Sequence, residues 1–177
     1  MTQMPPSPQE STGAPVAGRP GELMDRFLAR LIDGLIIGVV YWILSSIFSN
    51  MFLGGFTNSV GELFLYYVVL SVVFTAAAMA YFAFMDSIQG QTLGKMVMKL
   101  KVLGPDGGNP TVEQSLRRNI IYAANLISIV PILGWVVGPI AALIGVIMIA
   151  VGINNDPVRR QAWHDRFAGG TAVVKVG

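Results

Sequence analysis

Half of the 177 residues fall in three stretches that carry no charged side chain. Residues 34–61, 63–85 and 119–155 contain no Asp, Glu, Lys, Arg or His. A run of about 18 or more predominantly apolar residues with few charges reads as a bilayer-spanning segment, and all three runs exceed that length. The runs are continuous, without the ten-residue alternating segments of an outer-membrane barrel, so helices are expected. Charged residues make up 12% of the chain, against about 25% in a soluble domain. With no cysteine, disulfides, thiolate metal sites and cysteine nucleophiles are excluded. The formal net charge of +2 is too small, and too dispersed, for a nucleic-acid partner. The expected partner is the lipid bilayer.

Residues 1–21 hold five of the ten prolines among Ser, Gln, Thr and Gly. Such a segment cannot bury enough apolar surface to fold, so a disordered tail is expected there. It lacks the basic and apolar regions of a signal peptide. The remainder, 22–176, reads as one membrane domain. Its expected class is an all-α membrane protein of about four transmembrane or re-entrant helices with a small cytoplasmic two-strand element. Helices are placed at 22–52, 62–86, 112–130 and 134–153, and strands at 95–103 and 171–176. The first strand rests on the alternation of Met96, Met98, Leu100 and Val102. Thr111 and Gln114 have capping-box spacing, and Pro131 is expected to break the long third run. Lys and Arg accumulate in cytoplasmic loops. Four crossings put all twelve on one side, so a multi-pass protein of the bacterial inner membrane with both termini in the cytoplasm is expected.

Three groups of polar residues could carry chemistry. Arg26, Arg30 and Asp33 lie at i, i+4 and i+7, on one helical face. A lone aspartate at the membrane centre costs about 2.5–3.5 kcal/mol, and a paired arginine would lower that. The pattern fits a cation or proton site, or a structural ion pair fixing the helix end. Asp86 ends the second helix and precedes Gly90, Gln91, Thr92, Leu93, Gly94 and Lys95. This is not a P-loop, because three residues separate the glycines and Met96 follows the lysine. A glycine turn that delivers Lys95 to an anionic group or a carboxylate fits instead. His164 and Asp165 follow a basic pair, Arg159 and Arg160. One histidine cannot build a metal cage, no serine sits in a nucleophile elbow, and neither a metal, a cofactor nor an enzymatic activity is expected.

Taken together, Arg26-Phe27-Leu28-Ala29 with Ile32-Asp33, Gly90–Lys95 with Lys101-Val102, and Gln161 with His164-Asp165, Ala168-Gly169 and Val173-Val174 resemble the RDD family of bacterial membrane proteins. That family is named for one arginine and two aspartates, which the resemblance maps onto Arg26, Asp33 and Asp165. Met96 and the additional Gly170 depart from its pattern. The resemblance implies transport, with sodium or proton–cation exchange as the leading candidate. On this reading Asp33, Asp86 and Asp165 would hold a monovalent cation, and four helices per chain imply a homo-oligomer. The competing expectation is a non-catalytic membrane scaffold or assembly partner whose Arg/Asp pairs only lock the fold.

Overall fold

The structure is a computed structural model that describes residues 18–54 and 59–176. Most of the proline-rich tail, and the centre of the first interhelical loop, lie outside the described residues.

Helix α1, Leu23–Leu53, and helix α2, Val60–Gln89, form an antiparallel pair. At 1.5 Å per residue their 31 and 30 residues exceed the ~30 Å hydrocarbon core. A capping box starts α2: Ser59 Oγ accepts from the Glu62 N–H, and Glu62 accepts from the Ser59 N–H. Gly90 ends it in the left-handed conformation (φ 70°), donating its N–H to the Asp86 carbonyl. One short helix, α3 (Leu93–Val97), then precedes the strand Leu100–Leu103. The strand expected over 95–103 is thus helical in its first third. Thr92 caps that turn, and Gly94 lies too close to α1 for extended pairing.

Thr111 and Gln114 form the expected capping box and open α4, Val112–Arg118. The helix expected to reach residue 130 stops there. From Ile120 to Ile129 the chain winds as a 3₁₀ helix, longer than the three or four residues usual for that form. Pro131 does break the run, but at the first position of the next helix, where a missing N–H leaves nothing unpaired. Helix α5, Pro131–Asn155, therefore starts three residues earlier than expected and continues through Pro139. A short α6, Trp163–Phe167, leads to the strand Ala172–Lys175.

The sheet has three strands, not two. Arg19–Pro20 (β1), inside the segment expected to be disordered, pairs antiparallel with Ala172–Lys175 (β3), which also pairs antiparallel with Leu100–Leu103 (β2). The order is β1-β3-β2. Leu100, Val102 and Val173 pack the sheet against Ala29 at the foot of α1. A second cluster within the helices joins Ile37, Ala78 and Phe82.

Among the described residues three helices, α1, α2 and α5, are long and apolar enough to cross a membrane. Only 11% of the α1 window and 6% of the α5 window is buried, against 33% for α2, so α2 is the central helix. The 3₁₀ segment packs between α2 and α5. It runs antiparallel to α2: Tyr122 stacks on Phe82, and further along Asn125 bonds Thr75, nearer the start of α2.

Candidate functional site

The polar residues gather at the sheet end of the helices in three linked clusters. The first surrounds Asp33, which is completely buried. Its carboxylate accepts from the Tyr81 hydroxyl (2.8 Å), the Thr92 hydroxyl (2.6 Å) and the Gly94 N–H (2.8 Å). No arginine pairs with it among the described residues. The expected Arg30–Asp33 pairing gives way to these neutral donors, because α3 docks on α1 at that level. A Cβ on Gly94 would sit 2.0 Å from the Ala29 carbonyl oxygen, so only glycine permits the approach.

The second cluster is Asp86 with Lys95, whose ammonium lies 2.5 Å from Asp86 Oδ1. Both side chains are buried, and burial, partly offset by Asp86, pushes the Lys95 amine down to about 8. Asp86 Oδ2 is buried without a hydrogen-bond donor. The glycine motif thus works as a splice. Gly90 ends α2 and its carbonyl accepts from the Val102 N–H, Gln91 donates to the Leu100 carbonyl, Thr92 caps α3, and Lys95 returns to α2.

The third cluster centres on Asp165, also completely buried. Arg118 approaches its Oδ1 at 3.1 Å and Arg26 its Oδ2 at 3.5 Å, while the Ala162 N–H donates at 3.1 Å. Burial alone would raise this carboxyl; Arg118, His164 and Arg26 outweigh it and hold it below the usual carboxylate range. Arg26 also donates to the carbonyls of Gly21 and Val173, tying α1 to the chain before it and to β3. His164 is buried beside this group, with Nε2 3.7 Å from Asp165 Oδ1 and Nδ1 unpartnered. Burial lowers its imidazole to about 4, so it is neutral near pH 7.

Arg30 belongs to none of these ion pairs. Its Nη2 donates to Asn119 Oδ1 (3.0 Å), and its guanidinium lies 4.4 Å from the Phe82 ring centre and 5.4 Å from that of Tyr122. A desolvated cation over aromatic faces gains about 2 kcal/mol. Its Nη1, like that of Arg118, is buried with no hydrogen-bond partner.

This end of the molecule matches a known family over most of its length. The sequence model of the RDD family covers residues 20–169, from β1 to the turn before β3. The chain belongs to the RDD family. Among curated proteins, this RDD protein is 28% identical over 145 residues to the "Uncharacterized protein YxaI" of Bacillus subtilis (strain 168), covering 76% of this chain and 87% of that protein. No solved structure matches.

Of the three residues onto which the resemblance maps the family's arginine and aspartates, Arg26 and Asp165 meet directly, whereas Asp33 stands in a separate cluster. The three aspartates expected to share a cation do not converge on one point; each has its own donors. Among the described residues no group of three or more His, Cys, Asp or Glu could hold a metal. Arg118, Asn119, Tyr81 and Tyr122 were not foreseen from sequence. The Arg118-Asn119 pair at the mouth of the third uncharged run was the available signal.

A cavity of ≈ 830 Å³ opens above these clusters, bounded by α1, the 3₁₀ segment and α5. Arg26, Arg30, Lys95, Arg118 and His164 line it at the sheet end, together with the Asp33 carboxylate. Its volume is within the ~300–1,000 Å³ range of small-molecule sites.

Proposed function

We propose that the chain is a multi-pass protein of the bacterial cytoplasmic membrane that takes a small solute into the cavity between α1 and α5 and serves its transport. The observation that carries this reading is the cavity's polarity: its ionisable groups, five basic side chains and Asp33, sit at one end, and apart from Asn125 its remaining walls are almost wholly apolar. The basic sheet end would face the cytoplasm, following the distribution of Lys and Arg in short loops. The uncovered faces of α1 and α5 leave room for lipid and for further copies in a homo-oligomer.

Because the chain has no cysteine, one introduced thiol is a clean probe. Ala142 lines the cavity, and Ala142→Cys in phosphatidylcholine vesicles is expected to react with N-ethylmaleimide. A thiol that stays unreactive in folded protein would overturn the reading.

Cation exchange is a second reading, supported by the donor-free Asp86 Oδ2. It requires sodium-dependent flux in proteoliposomes that disappears in Asp86→Asn. The first reading expects no such loss.

A further inference from the structure

The occupant of the cavity can be narrowed from what lines it. On α5 the lining residues begin at Gly134 and end at Ile153. Nineteen residue steps at 1.5 Å make a wall about 28 Å tall, nearly the full ~30 Å hydrocarbon thickness. The upper part of this wall is built from Gly134, Gly138 and Ala142. A Cβ placed on Gly138 meets nothing within 4 Å, so the small side chains leave the slot unfilled. Met24 and Phe27 line the cavity at the foot of α1 and are also exposed, and along the slot Val146 of α5 both lines it and is exposed, which makes a lateral mouth. A free inorganic ion has no use for an apolar slot of that length.

The other end calls for negative charge. Arg30 and Arg118 both line the cavity, and each keeps a buried Nη1 with no acceptor. Asp165 is already engaged by Arg118 and Arg26, and Asp33 by its three donors. Arg30 has no carboxylate within ion-pair distance among the described residues. Guanidinium groups with N–H donors that lack an acceptor match the oxygens of a phosphate.

We propose that the cavity binds a phosphate-headed membrane amphiphile, with its head on Arg30 and Arg118 and its acyl or prenyl chain in the slot between α1 and α5. This rests on the cavity reading above and names the class of solute. The chain enters sideways from the lipid, and the head stops at the interfacial level where the sheet closes the cavity.

The test uses the full chain carrying Ala142→Cys in phosphatidylcholine vesicles, with N-ethylmaleimide labelling as the readout. Doping the vesicles with phosphatidic acid is expected to slow labelling about tenfold once it exceeds its Kd tenfold. Inorganic phosphate in the buffer should leave the rate unchanged. Arg30→Gln should raise the half-protecting amount of phosphatidic acid about tenfold or more, and Arg30→Lys should recover part of the protection. Gly138→Leu blocks the slot without touching a cation, so it should abolish protection and keeps the test open should Arg30→Gln misfold. Equal protection by inorganic phosphate, or Gly138→Leu without effect, points to a free anion and overturns the proposal. Labelling indifferent to phosphatidic acid overturns it as well. In each of those cases the thiol still reacts and the cavity reading stands. A thiol inert in every vesicle overturns both.

Discussion

At Asp165 the carboxylate is ringed by arginines, whereas the Asp33 carboxylate receives only neutral donors. Sequence spacing placed Arg26 and Asp33 on one face of α1, and that much was legible because helical periodicity is local. Their partners were not. Those of Asp33 lie 48 to 61 positions away and that of Arg26 lies 139 away, distances that no local pattern encodes. His164 gives this end of the molecule a specific response to acid. Its folded imidazole titrates at about 4 against 6.5 ordinarily, because burial disfavours the cation. In the unfolded chain the proton binds first, so stability falls as pH drops from about 6.5 to 4 and the loss levels off below that. The full loss is about 3 kcal/mol. Thermal unfolding of the detergent-solubilised protein across this range should show the slope, and His164→Gln should flatten it. An unchanged slope in the variant would assign the effect to another group.

Among the elements, α3 shows how much one glycine can decide. Its five residues would not hold together as a free helix; they are fixed because Gly94 touches α1 and Thr92 and Gly94 both donate to Asp33. Gly94→Ala must push α3 off α1 and break those bonds, a loss of about 3 kcal/mol or more. Gly34→Ala is the control, since its added Cβ meets nothing within 4 Å. Denaturation midpoints of the two variants should differ clearly, and a Gly94→Ala protein as stable as Gly34→Ala would refute the close-contact account. The capping boxes of α2 and α4 sit in four consecutive residues each; that at Thr111 could be read from sequence for this reason. The 3₁₀ winding of 120–129 could not, because hydrophobicity reports which residues avoid water and is silent on helical pitch. Its closeness to α5 is permitted by Gly145, where a Cβ would come within 2.5 Å of Ile121.

For the whole molecule the sheet constrains the path of the chain. β1 precedes α1, β2 follows α2 and β3 follows α5, yet all three pair in one sheet. Three long helices alone would leave β1 and β3 on opposite faces of a bilayer. The 3₁₀ segment resolves this by climbing beside α5, about 20 Å at 2.0 Å per residue, before the chain turns at Val130 and descends. Single-cysteine labelling with a membrane-impermeant maleimide measures the result: Val60→Cys and Val176→Cys are expected to react from opposite sides, with Val176→Cys accessible from the cytoplasm. Reaction of both from one side would overturn the arrangement. Sequence indicated four segments through the placement of Lys and Arg, but a two-residue strand such as β1 carries no periodicity to detect. The sheet order also constrains how the protein is made. Its middle strand, β3, is the last of the three to leave the ribosome, so β1 and β2 have no neighbour to pair with until α5 has been inserted. Until then Arg26 lacks both Asp165 and the Val173 carbonyl. Closure of the sheet end is therefore a late event in biogenesis, and an arrested chain ending before residue 172 would hold its helices together with that end still open.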